Sequence, residues 1–171
     1  MTVRTLVLLR HAKAETPGEL LDFDRQLTGK GDADADAAGS WLADERLRPD
    51  LVLCSSARRT RQTWQGVSVA LTQADPEARS PEVHYEQSLY DGGRTEVIDL
   101  LRAVPDSVRT VLVLGHNPTM TDVSILLRPY DEGAEYEPLR TAGMAVHRAE
   151  GPWSQTEPFS MPLVTAHTAR G

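Results

Sequence analysis

A chain of 171 residues is long enough to bury one hydrophobic core and suits a single domain, which we expect to cover residues 1–171. Its composition, with 40% hydrophobic and 25% charged residues, is that of a soluble globular protein. The net charge of −7 argues against non-specific binding to nucleic acid or to anionic membranes. A single cysteine excludes an intrachain disulfide, and no apolar run approaches the ~18 residues that a membrane span needs. The apolar run near the N-terminus is too short for a secretion signal, so we expect a cytoplasmic protein.

The first half of the chain alternates strand and helix signals. Residues 3–9 are almost continuously apolar, which is typical of a strand buried on both faces of a parallel sheet. A loop follows, and the next helix is expected to begin after the N-cap candidate Thr28 and to end before Pro49. Residues 51–54 predict a second buried strand, and the helix after it is expected to reach about residue 73.

The second half continues this alternation. The pattern predicts a helix over residues 96–103 and a buried strand over residues 108–114. Asn117 is a candidate N-cap, with Pro118 at the first helical position, for a helix that ends near residue 127. Alternating strands and helices indicate an α/β domain with a largely parallel sheet. Further strands are expected at residues 83–85, 144–148 and 153–159, with a hairpin at residues 150–151.

Polar clusters follow three of the predicted strands at the point where each strand ends. Arg10 and His11 follow the first strand, residues 55–61 follow the second, and residues 115–117 follow the strand at residues 108–114. Parallel α/β sheets bind ligands beyond the carboxyl ends of their strands. We therefore expect two histidines and at least two arginines to meet at one edge of the sheet.

The residue types in these clusters suit phosphate chemistry. Arginines near the start of the second helix oppose its dipole, and a bound anion at that end would remove the conflict. Arginine forks match phosphate oxygens bidentately, and a neutral imidazole can attack phosphorus to give phosphohistidine. A second histidine can spread the developing charge. No His/Cys spacing or carboxylate cluster predicts a metal site, so charge neutralisation would fall to arginine and protonated histidine.

Four segments carry a family resemblance. Residues 9–14 read Leu-Arg-His-Ala-Lys-Ala, and residues 24–28 read Asp-Arg-Gln-Leu-Thr. Residues 55–63 read Ser-Ser-Ala-Arg-Arg-Thr-Arg-Gln-Thr, and residues 113–118 read Val-Leu-Gly-His-Asn-Pro. In order and spacing these segments resemble the histidine phosphatase superfamily, also called phosphoglycerate mutase-like. Alanine follows the Arg-His pair where the family signature has glycine, which is similar to the small branch typified by the SixA protein-histidine phosphatase.

The resemblance implies a fold and a set of roles. The fold would be a three-layer sandwich in which helices flank a mostly parallel central sheet. His11 would be the nucleophile, while Arg10, Arg59 and His116 would bind the phosphoryl oxygens during catalysis. Arg25 would be a further phosphate contact. The resemblance implies no metal and no cofactor.

Two residues, Arg25 and Asp91, each have an alternative interpretation. Arg25 could instead pair with Asp22 or Asp24 on the same loop. Asp91 lies where many relatives place the general acid that protonates the leaving group, although a turn residue before Gly92 is the other interpretation. The SixA branch tends to lack such a carboxylate, and a phosphohistidine needs little acid assistance. The alternative acids are Glu86 and Glu96.

The expected substrate is a phosphorylated protein, with phosphohistidine favoured. Residues 86–107 leave room for one helix, where relatives that act on sugar phosphates carry large insertions. The resulting open site suits a side chain displayed on another protein. Small phosphate esters or nucleotides are the alternative substrates, and a phosphate-binding module with little turnover is the alternative function. We expect a monomer without nucleic-acid or membrane partners.

Overall fold

The computed structural model describes residues 2–171, in which six strands form one sheet. The strands are β1 (Val3–Arg10), β2 (Leu51–Ser55), β3 (Glu82–Glu86), β4 (Thr110–Gly115), β5 (Gly143–Glu150) and β6 (Leu163–Thr168). The helices are α1 (Gly29–Asp44), α2 (Arg58–Ala74), α3 (Ser88–Asp91), α4 (Arg94–Arg102) and α5 (Thr119–Leu127). Short 3₁₀ turns lie at Asp22–Asp24 and Trp153–Gln155. Within residues 2–171, no helix has the length and apolar character that crossing a membrane requires.

The sheet is mixed, with four parallel strands and two antiparallel ones. Its strand order is β3-β2-β4-β1-β5-β6. The first four strands in this order run parallel to one another, whereas β5 pairs antiparallel with β1 and β6 pairs antiparallel with β5. The predicted α/β class with a mostly parallel sheet is confirmed.

Helices cover both faces of the sheet. Successive residues of a strand point to opposite faces, so Val7 and Leu9 join the core under α1 and α2, whereas Leu6 and Leu8 join the core under α4 and α5. Burial on both faces explains why β1 is a continuous apolar run. The expected three-layer arrangement is confirmed.

The helices α1 and α2 approach each other closely at two glycines. A Cβ atom on Gly39 would lie 2.5 Å from the carbonyl oxygen of Val67, and one on Gly66 would lie 2.8 Å from the Cβ of Ala35. Gly66 is a poor helix former, but the contact between the two helices leaves no room for a side chain there.

The prediction of a strand over residues 153–159 is wrong. Trp153 begins a 3₁₀ turn, its ring is buried, and its Nε1 donates to the carbonyl of Val108 (2.7 Å). This long-range contact outweighs the local alternation of apolar and polar residues that predicts a strand. The last strand is β6, and residues 151–162 join it to β5 in place of a tight hairpin at residues 150–151.

The predicted N-cap of α5 is displaced by one residue. Pro118 is the N-cap, and a cis peptide bond joins it to Asn117. Oδ1 of Asn117 still accepts from the backbone N–H of Thr121 (3.3 Å), so the side chain satisfies a free amide of the first turn. The short helix α3 is not predicted, because four residues are too few to show helical periodicity.

Candidate active site

The carboxyl ends of β1, β2 and β4 meet at one edge of the sheet and carry the polar clusters. Arg10, the last residue of β1, pairs in register with Gly115, the last residue of β4. The backbone N–H of His11 donates to the carbonyl of Gly115 (3.0 Å), and the ring centroids of His11 and His116 lie 5.3 Å apart. The pairing of β1 with β4 thus brings together two histidines that are far apart in the sequence.

His11 is buried and held in one tautomer. Only 8% of its surface is exposed. Its Nδ1 lies 2.7 Å from the carbonyl oxygen of Ala12, which can only accept, so Nδ1 carries the proton and Nε2 keeps its lone pair. Burial lowers the pKa of His11 to about 3, and the nearby groups His116, Arg59 and Arg10 act in the same direction. The imidazole is therefore neutral at pH 7, which is the form that a nucleophile requires.

His116 is also neutral, and its two ring nitrogens have different partners. Nη2 of Arg59 lies 3.2 Å from Nδ1, and since a guanidinium only donates, Nδ1 is the acceptor. Nε2 then carries the proton and donates to Oγ of Ser55 (2.7 Å). Burial lowers the pKa of His116 to about 4, and the charge of Arg59 acts in the same direction. In the free protein the arginines therefore carry the positive charge, and a protonated histidine beside a bound phosphoryl group stays a prediction.

Arg10 and Arg59 supply positive charge that is largely withdrawn from solvent. Arg59 is 6% exposed, and burial lowers the pKa of Arg10. Nη1 of Arg10 donates to the carbonyl of Leu139 (3.1 Å). Within residues 2–171, Arg10 has no salt-bridge partner, and Nε of both arginines is buried without a hydrogen-bond partner. A desolvated cation without a counterion is costly, so Arg10 in particular favours a bound anion.

Asp22 connects Arg59 and Arg25 to Tyr90 through its carboxylate. Its Oδ2 accepts from Nη2 of Arg59 (3.1 Å) and from the hydroxyl of Tyr90 (2.8 Å). Its Oδ1 accepts from Nη1 of Arg25 (2.8 Å). The hydrogen bonds from Arg25 and Tyr90, with the charge of Arg59, hold the pKa of this carboxyl well below its usual range. The ring of Tyr90 packs edge-on against His116, with centroids 5.6 Å apart.

Two side chains of α2 brace the loop that carries the nucleophile. Oγ1 of Thr63 accepts from the backbone N–H of Ala12 (3.1 Å) and donates to the carbonyl of Arg59 (2.8 Å). Oε1 of Gln62 accepts from the backbone N–H of Leu27 (2.7 Å). The Gln-Thr pair at the end of the third motif thus ties this loop to the helix that carries Arg59.

Comparison with known proteins assigns the chain to a family. Residues 6–98, more than half of the chain, match the histidine phosphatase superfamily (branch 1). The uncharacterized protein Rv1276c of Mycobacterium tuberculosis is 37% identical over 168 residues, which are 95% of this chain and 100% of that protein. The chain belongs to the histidine phosphatase superfamily.

This histidine phosphatase shares its fold with solved structures of SixA type. A candidate phosphohistidine phosphatase SixA from Nakamurella multipartitia matches with a TM-score of 0.86 and 32% identity, over 99% of this chain and 98% of that chain. Its counterpart from Agrobacterium tumefaciens matches with a TM-score of 0.75 and 32% identity, over 96% and 97%. The protein histidine phosphatase SixA complexed with tungstate, at 20% identity, has the same fold with a TM-score of 0.78 over 96% of each chain. Family and fold make this chain a phosphatase-type hydrolase.

In this histidine phosphatase, Arg25 pairs with Asp22, which is the alternative that the sequence leaves open. Nη1 of Arg25 lies 2.8 Å from Oδ1 of Asp22, and its Nε donates to the carbonyl of Glu15 (2.8 Å). A direct role in phosphate binding stays a prediction, and it would require the guanidinium to exchange Asp22 for a phosphoryl oxygen.

The structure does not bring Asp91 into the cluster. Asp91 is exposed at the end of α3, and its Oδ2 accepts a long hydrogen bond from Nε2 of Gln87 (3.5 Å). Its neighbour Tyr90 faces the site instead. Glu96 accepts from the backbone N–H of Gly93 (2.8 Å) and so caps α4. The acid role of Asp91 stays a prediction, without support from its surroundings.

Sequence reasoning misses two residues of this site. Asp22 is recognised only as a local partner of Arg25, three residues away, and its contacts with α2 and α3 are not foreseen. Tyr90 carries no local signal, because its partner Asp22 lies 68 residues earlier in the chain. Ser55 is recognised as part of a motif, but its hydrogen bond to His116 joins two different strand ends.

Proposed function

We propose that this histidine phosphatase hydrolyses phosphohistidine on cytoplasmic proteins through a phosphohistidine intermediate on His11, without a metal or a cofactor. The observation that carries the proposal is the state of His11. Its imidazole is buried and neutral, Nδ1 is fixed by the carbonyl of Ala12, and Nε2 keeps its lone pair. Such an imidazole is ready to attack phosphorus at neutral pH.

In the first step, Nε2 of His11 attacks phosphorus in line with the bond to the substrate's imidazole nitrogen. The new P–N bond forms as the old one breaks, and the electron pair of the old bond returns to the leaving nitrogen. The leaving imidazole departs neutral when its other ring nitrogen carries a proton. Arg10 and Arg59 would hold the oxygens of the transferring group, and His116 would contact one of them.

In the second step, water attacks the phosphorus of the phosphorylated His11. The P–N bond breaks, its electron pair returns to Nε2, and inorganic phosphate leaves. The proton that the water loses passes to phosphate or to solvent. The enzyme thereby returns to the tautomer that the carbonyl of Ala12 favours.

The leaving group supports phosphohistidine over alkyl phosphate esters. Two of the three candidate acids, Asp91 and Glu96, are exposed and hydrogen-bonded to groups outside the cluster. An alkoxide would need such an acid, whereas a neutral imidazole leaves readily without one. The likeness to SixA-type structures supports the same substrate class.

Metal independence is part of the proposal. Arg10 and Arg59 provide two fixed positive charges at the site, which can neutralise a phosphoryl group directly. Within residues 2–171 there is no group of three or more His, Cys, Asp or Glu side chains that could hold a metal ion.

The test compares wild type, H11A and H84A in EDTA. Each protein receives a phosphohistidine peptide and p-nitrophenyl phosphate in parallel, and phosphoenzyme is trapped with labelled substrate and scored as acid-labile, base-stable label. His84 is an exposed histidine of β3, so H84A controls for the loss of a histidine as such. We expect H11A to lose activity by about a thousandfold or more and to form no adduct, and H84A to behave as wild type.

Other outcomes would redirect the assignment. Preference for p-nitrophenyl phosphate over the peptide would favour small phosphate esters as substrates. An adduct that forms and does not turn over would favour a phosphate-binding module. Full activity of H11A would remove His11 as the nucleophile.

A further inference from the structure

A groove of about 840 Å³ runs along the exposed side of α2. Phe23, from the 3₁₀ turn at Asp22–Asp24, and Tyr85, from β3, also line this groove. Its lining includes Phe23, Ser56, Arg58, Arg61, Val69 and Tyr85.

The groove begins at the rim of the active site. Phe23 adjoins Asp22, and its ring packs edge-on against Tyr90 with centroids 5.0 Å apart. Ser56 follows Ser55, whose hydroxyl is bonded to His116. A polypeptide that presents a phosphorylated side chain to the site would therefore extend naturally along this groove.

The charge of the groove is opposite to that of the rest of the chain. The chain has 25 acidic and 18 basic residues. The part of this lining that falls within residues 2–171 nevertheless contains Arg58 and Arg61 and no Asp or Glu. Nε of Arg61 donates to the carbonyl of Ser56 (2.9 Å), which fixes this side chain at the wall of the groove. A pre-positioned guanidinium loses less freedom when it binds a carboxylate.

The groove also exposes apolar and aromatic surface. Tyr85 is 52% exposed and Val69 is 47% exposed. Exposed aromatic residues beside arginines are the composition that recurs at the centre of protein-protein contacts. Two arginines are few for a nucleic-acid backbone, which is usually bound by a longer basic surface.

We propose that this groove docks an acidic segment of the protein that carries the phosphohistidine. This inference rests on the proposed function. Carboxylates of the segment pair with Arg58 and Arg61, and an apolar side chain of the segment contacts Phe23, Val69 or Tyr85. The contact raises kcat/KM for phosphoprotein substrates through binding, and it weakens as salt rises.

The test uses two synthetic phosphohistidine peptides that differ only in charge. In one, Asp and Glu residues stand on both sides of the phosphohistidine, and in the other they are replaced by Asn and Gln. The docking variant is R58Q/R61Q. Its control, R46Q/R109Q, removes the same charge from two exposed arginines that precede β2 and β4 and so lie at the opposite end of the sheet.

We expect wild type and R46Q/R109Q to favour the acidic peptide by about tenfold in kcat/KM at low salt. The R58Q/R61Q variant should lose this preference while its rate on p-nitrophenyl phosphate changes less than about twofold. Equal use of the two peptides by wild type, or a preference that survives R58Q/R61Q, would overturn the docking site.

A second readout separates this inference from the proposed function. Binding of the unphosphorylated acidic peptide, followed by fluorescence anisotropy, requires no catalysis. Binding that R58Q/R61Q abolishes, in an enzyme that hydrolyses neither phosphopeptide, would retain the docking site and reject the phosphohistidine substrate. Turnover of both phosphopeptides at equal rates, without binding of the acidic peptide, would reject the docking site alone.

Discussion

Arg59 donates hydrogen bonds to both the backbone and the side chain of Asp22. Nη1 of Arg59 donates to the carbonyl of Asp22 (2.8 Å), and Nη2 donates to its Oδ2 (3.1 Å). The same Nη2 also donates to Nδ1 of His116 (3.2 Å). The orientation of the guanidinium is thus fixed by a loop on one side and by the second histidine on the other. Asp22 is in this sense a positioning residue for Arg59.

Replacing Asp22 by alanine should separate catalysis from anion binding. Loss of the carboxylate frees the guanidinium of Arg59, and a misplaced phosphate contact commonly reduces turnover, so we expect kcat to fall about tenfold or more. The same loss removes a negative charge beside the arginines, so inorganic phosphate should inhibit more strongly. Steady-state kinetics with phosphate as inhibitor measure both effects. The matched control is D24A, which removes an exposed carboxylate from the same turn.

A parallel fall in kcat and in phosphate affinity would contradict the positioning role of Asp22. That pattern would mean that the carboxylate supports the whole site, for example by holding the turn in place. Equal kcat values and equal phosphate inhibition of D22A and D24A would mean that Asp22 has no specific role.

A side chain at Gly31 is expected to destabilise the protein, whereas a side chain at Gly29, two residues earlier, is not. A Cβ atom at Gly31 would lie 2.1 Å from the carbonyl oxygen of Lys13, which follows His11 by two residues. The same carbonyl accepts from the backbone N–H of Thr28 (3.0 Å), so it has little freedom to move. At Gly29, no heavy atom lies within 4 Å of such a Cβ in the described part of the chain.

We therefore expect G31A to lower the free energy of unfolding by about 1–3 kcal/mol and to reduce activity, because the clash displaces the nucleophile loop. The variant G29A should remain within about 0.5 kcal/mol of wild type. Urea denaturation and kcat/KM on p-nitrophenyl phosphate measure the two properties. Indistinguishable stability of the two variants would show that the loop adapts to a side chain at position 31.

The two histidines of the site should stay neutral well below the pH at which a free imidazole titrates. Burial lowers the pKa of His11 to about 3 and that of His116 to about 4. An unperturbed imidazole would protonate near 6.5. Protonation would occupy the lone pair of Nε2 in His11 and would break the hydrogen bond from Arg59 to His116. These losses should therefore begin only as the pH falls toward 4.

NMR titration of the imidazole carbon-bound protons tests this directly, with H11Q and H116Q used for assignment. We expect neither resonance to titrate between pH 8 and pH 5 in the free protein. Addition of tungstate should raise the pKa of His116, because a bound anion favours the charged form. A midpoint near 6.5 for His11 would contradict its buried, neutral state.

Local sequence patterns predict that the site residues meet at one edge of the sheet, because each polar cluster directly follows a buried strand. Arg10 and His11 follow the apolar run of β1, and His116 follows β4. Parallel pairing then places both histidines at one edge without further information. This part of the geometry depends on periodicity and strand direction, which are local signals.

The remaining contacts depend on long-range packing, which no local pattern encodes. Tyr90 reaches Asp22 from a helix of four residues, and Trp153 reaches Val108 across the end of the sheet. The alternation around Trp153 resembles a strand, but the segment forms a 3₁₀ turn in which the ring of Trp153 is buried and hydrogen-bonded to Val108. Such errors arise where tertiary contacts outweigh local preference.

The buried His147 should make the fold acid-sensitive independently of the active site. It is fully buried on β5, its Nδ1 donates to the carbonyl of Met161 (2.9 Å), and its Nε2 accepts from the hydroxyl of Ser124 (2.9 Å). Nη2 of Arg128 donates to the same hydroxyl oxygen (3.1 Å), which leaves the hydroxyl proton for His147. Burial lowers the pKa of His147 to about 4, with the charge of Arg128 acting in the same direction.

A histidine with a lowered pKa in the folded state binds protons more readily when the chain is unfolded. Its effect on stability is therefore absent above pH 6.5 and grows as the pH falls from about 6.5 toward 4. In the middle of this window each pH unit costs at most about 1.4 kcal/mol of unfolding free energy for one such group. Between pH 6.5 and pH 5, His147 alone should cost about 2 kcal/mol.

The variant H147Q removes this proton-binding group while His11 and His116 keep their own contributions. Its stability at pH 7 is expected to be lower, because the buried hydrogen bonds are disturbed, but its loss between pH 6.5 and pH 5 should be about 2 kcal/mol smaller than that of wild type. Urea denaturation at several pH values gives both quantities. The dependence of wild-type unfolding free energy on pH is informative even when H147Q unfolds too easily to measure, since three histidines with lowered pKa values predict a steep fall. A wild-type stability that stays level down to pH 5 would contradict the buried, neutral state of His147, because in that case the folded and unfolded chains would take up the same number of protons.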